Sequence, residues 1–135
     1  MFQRTLSGLT IGQYWITPPD LYQKLDAEFR FDFDPCPYPY KQDGIGIEWG
    51  QSNYVNPPFR VKDAHNGHGP TAFVRKAIEE NKKGKTIVML LNIDTSTKWF
   101  AKLVEANAEI LWFSRRIKFI DGKAANFPSM LVILK

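Results

Sequence analysis

With 135 residues, 44% of them hydrophobic, the chain has the material for one domain around one buried core and too little for two. A net charge of +4 and a sequence pI of about 9.2 suit an anionic partner without establishing one. The lone cysteine, Cys36, excludes an intrachain disulfide, and Cys36, His65 and His68 give no metal-ligand spacing. No signal-like start and no apolar run near the roughly 20 residues of a membrane span are present, so a soluble, cytoplasmic protein is expected.

Thr17-Pro18-Pro19-Asp20 reads as a helix start. Thr17 stands at or near the N-cap, the prolines are pre-set for the first turn, and Asp20 suits the positive end of the dipole. Leu21, Leu25 and Phe29 then form one apolar face at i, i+4, i+8. Residues 29–34 alternate apolar and polar as a half-buried strand does, and Pro35 and Pro37 end it. Residues 53–56 form a short strand leading into Pro57-Pro58, a stretch whose prolines make it extended and stiff.

Further on, residues 71–82 read as a helix closed by a Lys83-Gly84 turn, and residues 86–91 as an apolar strand covered on both faces. A helix over 96–107 and a strand over 109–113 follow. Residues 117–120 and 130–134 are strand-like, with Asp121-Gly122 as a turn and no helix between them. The alternation predicts an α/β fold of three layers: a mostly parallel sheet with right-handed crossovers and an antiparallel last strand. No repeat, linker or low-complexity tract interrupts residues 1–135, so one compact domain is expected.

Basic residues gather in three places: Arg60 and Lys62, Arg75 to Lys85, and Arg115, Arg116 and Lys118. The middle group reads as a solvated helix face; the other two flank strand ends, where binding loops sit. In an open α/β sheet ligands bind beyond the carboxyl ends of the strands. Two such ends carry unusual chemistry, Phe33-Asp34-Pro35-Cys36 and Tyr54-Val55-Asn56-Pro57-Pro58-Phe59. The Asn56 carbonyl and the Pro57 backbone carbonyl are two acceptors at a fixed separation, which suits an amino group with two hydrogens to donate. Phe59 offers a flat face for a planar ring. Together they point to an sp² NH₂ on a flat group, such as adenine.

Asn56-Pro57-Pro58-Phe59 resembles the NPPY/F motif of amino methyltransferases, and its surroundings resemble the phage-type, Dam-like DNA N6-adenine methyltransferase family. Trp15-Ile16-Thr17-Pro18-Pro19 is similar to the family's W-x-T-P element, and residues 31–36 to its F-x-x-D strand end. Asp43-Gly44-Ile45 with Trp49 is similar to its D-G-L…W stretch, Arg116-Ile117-Lys118-Phe119 to its G-R-L-K-F segment, and Phe127-Pro128-Ser129 to its last turn. The motif order resembles the gamma arrangement.

The resemblance implies a Rossmann-like methyltransferase fold, reduced in size, with S-adenosylmethionine as cofactor and DNA as partner. It implies that Asn56, Pro57, Pro58 and Phe59 are catalytic. Thr17, with Pro18, would meet the cofactor's carboxylate; Asp34 and the backbone around Pro35 and Cys36 would hold its amino end; Asp43 would accept from its adenine amine. Each has a plainer reading beside it: Thr17 as an N-cap, Cys36 as a small core residue, Asp43 as the first residue of a D-G turn. Duplex DNA would have its adenine flipped, with Arg60, Lys62 and His65 in the following loop, and Arg115, Arg116 and Lys118, near the phosphates. A surface loop without a partner is the alternative for residues 60–69.

The chain departs from the family in four respects. No glycine-rich turn follows Asp34, no second strand with a ribose-binding acid fits between Cys36 and Ile45, Arg115 stands where the family has Gly, and no target-recognition domain fits. Base specificity must then come from short loops, from a second subunit in a homodimer, or be weak. Methylation of another planar amine, in RNA, cytosine or a protein glutamine, and a non-catalytic nucleic-acid-binding remnant are the alternatives.

Overall fold

A computed structural model describes residues 17–37, 43–57, 69–113 and 129–135. Helix α1, Pro19–Phe29, starts on its proline and ends with Arg30 in the left-handed region at φ 53°. The expected cap is corrected: Pro18, extended at φ −57° and ψ 134°, is the N-cap residue, and no side chain caps the helix. Thr17 stands one position earlier, and its hydroxyl turns toward the sheet. Leu25 is buried, with Leu21 and Phe29 packed beside it, as the i, i+4, i+8 spacing requires.

The strand expected over 29–34 contracts to one parallel bridge, Phe33 to Asn53. Two hydrogen bonds flank it, Asp32 N–H to Ser52 O at 2.9 Å and Tyr54 N–H to Phe33 O at 3.1 Å. The physical reason is local: α1 extends through Phe29, the left-handed Arg30 turns the chain, and Pro35 supplies no donor to continue the ladder. The alternation still operates, with Phe31 packed on one face of the sheet and Phe33 on the other.

Strand β1, Ser52–Val55, pairs parallel with β2, Thr86–Asn92. Helix α2, Pro70–Asn81, separates them, and Gly84 at φ 92° makes the turn that a residue with a Cβ would strain. Helix α3, Lys98–Glu105, begins under Thr97, whose hydroxyl accepts the Phe100 N–H at 3.2 Å, and leads to β3, Glu109–Trp112. Strand β4, Ser129–Leu134, runs antiparallel between β2 and β3, giving the order β1-β2-β4-β3. Three strands therefore point one way and the last the other. The strand expected over 117–120 and the Asp121-Gly122 turn lie outside the described residues.

Period-two alternation divides the core. Val55, Ile87, Met89, Leu91, Met130, Val132 and Leu134 meet α2 and α3 through Phe73, Val74, Ala77, Trp99 and Leu103. Tyr54, Val88, Leu90, Leu131 and Ile133 face α1. Five consecutive positions of β2 are buried, as its unbroken apolar run predicts, each worth about 1.5–3 kcal/mol relative to exposure for side chains of this size.

The basic run from Arg75 to Lys85 is more than a solvated face. Glu80, 1% exposed on α2, accepts from Lys85 Nζ at 2.6 Å, Lys83 Nζ at 2.9 Å, Lys76 Nζ at 3.0 Å and the Trp49 N–H at 3.1 Å. Lys85, itself buried, also donates to the Trp49 carbonyl at 2.7 Å and to Glu48 at 3.1 Å. Burial opposes the charge on Glu80, but these donors outweigh it and hold the carboxyl far below its ordinary range. The cluster sits at the amino end of β2 and fastens Trp49, whose ring stacks on Phe73 with centroids 6.5 Å apart.

Candidate active site

At the opposite end of the sheet the chain leaves Phe33 and β1 side by side. The parallel bridge at Phe33 and Asn53 sets the register, so Asp34 to Cys36 run beside Tyr54 to Asn56. Asp34 Oδ1 accepts the Cys36 N–H at 2.9 Å, closing a turn whose direction Pro35 and Pro37 help to hold. The Asn56 backbone N–H in turn faces the Cys36 thiol, and Cys36 is buried. Cys36 therefore stitches the two strand ends together, in keeping with its plainer reading as a small core residue, and its own N–H is engaged inward on Asp34.

The Asp34 residue is partly exposed, but its carboxyl is enclosed, and burial pushes it up to about 6 against the lowering pull of the Cys36 N–H. Among the described residues no ion pair reaches this carboxylate. It would be relieved by a cation arriving from outside. Burial followed by the nearby Asp34 charge also drives the Cys36 thiol upward, so it is no reactive thiolate.

Asp43-Gly44 packs against this turn. A Cβ at Gly44 would lie 2.0 Å from the Pro35 carbonyl oxygen, so only glycine admits the approach. Asp43 Oδ1 accepts the Ile45 N–H at 3.0 Å, the D-G turn chemistry of its plainer reading, and Trp49 Nε1 donates to the Gly44 carbonyl at 2.7 Å. Trp49 thus connects the charged cluster at one end of the sheet to the site at the other.

Thr17 reaches the same rim from the start of α1. Its Oγ1 lies 2.5 Å from the Tyr54 phenol oxygen and accepts from Asn56 Nδ2 at 3.3 Å. Tyr54 is 2% exposed, its ring edge-on to Tyr22 at 5.2 Å and tilted against Phe31 at 5.4 Å. Burial raises the Tyr54 pKa strongly, the Thr17 bond opposing and the Asp34 charge assisting, so the phenol keeps its proton. Asn56 is half-buried and Pro57 buried.

The described rim therefore brings together Thr17, Pro18, Asp34, Pro35, Cys36, Asp43, Asn56 and Pro57. The expected site residues Pro58, Phe59, Arg60, Lys62, His65, Arg115, Arg116 and Lys118 lie outside the described residues. Sequence reading missed Tyr54: a strand position two before Asn56, pointing to the α1 face, that bears a polar tip is the signal that would have found it. An enclosed acid, a hydroxyl turned toward the sheet and an anchored carboxamide form a set able to hold a zwitterion beside an amine.

Three comparisons bear on this rim. Residues 8–135 match the family described as DNA N-6-adenine-methyltransferase (Dam). A DNA N-6-adenine-methyltransferase of Haemophilus phage HP1 (strain HP1c1) is 31% identical over 142 residues, covering 90% of this chain and 78% of that protein. One of Escherichia phage T1 is 31% identical over 126 residues, covering 83% of this chain and 50% of that protein. No solved structure matches the chain significantly. Among the described residues no helix is long and apolar enough to cross a membrane.

Proposed function

The chain belongs to the DNA N-6-adenine-methyltransferase family, and from that premise we propose that it uses S-adenosylmethionine and that Asn56 and Pro57 hold the adenine amine it methylates. The reaction is methyl transfer to N6 of adenine in DNA. The single observation that carries the site reading is the rim itself: Cys36 ties the Asp34 carboxyl to the Asn56 backbone, and Thr17 holds the Asn56 carboxamide on the same rim. Methyl acceptor and methyl donor need to meet at such a junction.

The residues suit the donor's amino-acid end. Asp34, an enclosed carboxyl with one N–H on it, takes the ammonium; Thr17, a hydroxyl on the same rim, donates to the carboxylate. Asp43, held beside Pro35 by Gly44, is the acid this reading assigns to the cofactor's adenine amine. When bound, the cofactor supplies an electrophilic methyl on a sulfonium. Asn56 Oδ1 and the Pro57 carbonyl accept the two N6 hydrogens, which draws N6 toward sp³ and aims its lone pair at that methyl carbon. Methylation there would leave the electron pair of the donor's C–S bond on sulfur and N6 with one proton in excess, which would pass to water. The chain contributes by position and by fixed dipoles, with no general base of ordinary pKa.

The fold in this reading is the three-layer Rossmann-like methyltransferase arrangement in reduced form, as one compact domain over residues 1–135. Helices pack on both faces of the sheet, and β4 enters antiparallel beside β2, which supports it. The base is flipped from the duplex onto Phe59, with Pro58 stiffening the motif, while Arg60, Lys62 and His65 and the group Arg115, Arg116 and Lys118 lie along phosphates. The phage origin of both relatives supports action in the cytoplasm of a bacterial host.

The test is transfer of a labelled methyl from S-adenosylmethionine to unmethylated duplex DNA, with single-stranded DNA and RNA alongside and digestion to nucleosides. Label in N6-methyladenine, abolished by Asn56→Ala in a folded protein, is the expected result. Undiminished transfer by Asn56→Ala would overturn the site assignment.

A further inference from the structure

Tyr54 has no part in the mechanism above, yet a phenylalanine would fill the same space among Tyr22 and Phe31. What the tyrosine adds is a hydroxyl on the α1 face of β1, 2.5 Å from Thr17 Oγ1, and Thr17 in turn accepts from Asn56 Nδ2 at 3.3 Å. Thirty-seven and thirty-nine residues of sequence separate these partners, so the chain of three is a product of the tertiary fold.

We infer that Tyr54 is a positioning residue which, through Thr17, fixes which end of the Asn56 carboxamide faces the adenine amine. The inference rests on the reading of Asn56 as the amine's acceptor. A carboxamide has a donor end and an acceptor end of nearly equal size, and only the acceptor end can take a hydrogen from N6. Turned over, it would set NH₂ against NH₂. The orientation is therefore worth controlling, and a planar amide whose Nδ2 is drawn inward carries Oδ1 on the other prong of its fork.

The hydroxyl inventory explains how control works. Thr17 has one proton and two acceptor lone pairs. The Tyr54 phenol is buried and protonated, so its proton needs an acceptor, and Thr17 is its partner among the described residues. Accepting from Tyr54 on one lone pair, Thr17 retains the other for Asn56 Nδ2 and keeps its own proton for a third group, such as the cofactor's carboxylate. Without the phenol the Thr17 proton can swing onto Asn56 and donate to Oδ1, which favours the inverted amide. The same hydroxyl would then serve both substrates, one through its proton and one through its lone pair.

The experiment compares Tyr54→Phe, Thr17→Val and Thr17→Ser in the full chain. It measures methyl-transfer kinetics on DNA, S-adenosylhomocysteine affinity by calorimetry, and the Asn56 side-chain ¹⁵N amide pair, assigned by its absence in Asn56→Ala. For Tyr54→Phe we expect kcat to fall about tenfold, with KM for DNA and product affinity within about twofold of wild type. The Asn56 amide pair should shift. Thr17→Val should lose more than Tyr54→Phe, and Thr17→Ser, which keeps the hydroxyl, should restore both the rate and the amide signal. An unmoved amide pair in Tyr54→Phe overturns the inference whatever the rate does, as does a loss of kcat matched by an equal loss of product affinity. If wild type itself transfers no methyl to adenine, the reading of the site fails, while the amide signal still decides whether Tyr54 orients Asn56.

Discussion

Two enclosed carboxyl groups, at opposite ends of one small sheet, have opposite fates. Glu80, at the amino end of β2, is surrounded by Lys76, Lys83 and Lys85 and by the Trp49 N–H, and it is held ionised far below its ordinary range. Asp34, at the carboxyl-end rim, has the Cys36 N–H and is pushed up to about 6. The first is an internally balanced fastening; the second has no balancing cation among the described residues, and the proposed function gives it the ammonium of a ligand. Perturbed acids mark function when the protein itself leaves them uncompensated, and mark architecture when it does not.

The largest expected effect breaks the fastening. Glu80→Gln leaves Lys85 buried beside one exposed carboxylate and should cost about 3 kcal/mol or more of stability, read as a lower urea midpoint. Methyl transfer per folded molecule should stay near wild type, because the cluster lies at the far end of the sheet. A loss of activity without a loss of stability would break the comparison.

Next comes Asp34→Asn, with the opposite sign. Because folding raises the Asp34 pKa from 3.8 to about 6, its contribution to stability is full below pH 3.8 and is lost as pH rises through 6. Removing the charge should therefore stabilise the ligand-free protein at pH 8 by up to about 3 kcal/mol. Glu80, depressed from 4.5, behaves inversely: its contribution is present above pH 4.5 and is lost as pH falls below it. Urea midpoints across pH should accordingly decline on the acid side through Glu80 and on the neutral side through Asp34, each decline vanishing in its own variant. Affinity for S-adenosylhomocysteine should rise with pH through about 6 and become flat and weak in Asp34→Asn, since the ionised carboxyl is what holds an ammonium. A pH-independent affinity in wild type would place the ligand's amino end elsewhere.

A smaller effect sharpens the link between the two ends. Gly44→Ala forces the Pro35 carbonyl to move and should cost about 1–3 kcal/mol, with weakened cofactor affinity as a second readout, because the shift displaces the turn that carries Asp34. A loss of stability with undiminished affinity would show that Gly44 serves Trp49 alone.

These contrasts indicate how much of the site was legible before the fold. The apolar spacing of Leu21, Leu25 and Phe29 and the unbroken run of β2 were readable, because helix and strand periods are local properties of the chain. The order of Thr17-Pro18, Asp34, Asp43-Gly44 and Asn56-Pro57 was readable as motif chemistry. The strand over 29–34 was overestimated, because its alternation is real but α1 and the left-handed Arg30 use its first residues. Lys76 and Glu80 at i, i+4 were a visible pair, but a pair on a helix does not reveal that Lys85 and Trp49 close over it.

The alternating elements, the antiparallel sense of the last strand, the Asn56-Pro57 motif and the family to which the chain belongs were all present in the sequence. The tertiary structure adds that Thr17 leaves its helix uncapped to join Tyr54 and Asn56, that Cys36 ties Asp34 to Asn56, and that lysines neutralise one enclosed acid while no cation among the described residues reaches the other. The reason is separation. A residue's period and turn chemistry depend on its immediate neighbours, whereas a hydroxyl's choice of partner and a carboxyl's pKa depend on groups that the chain brings together from dozens of residues away.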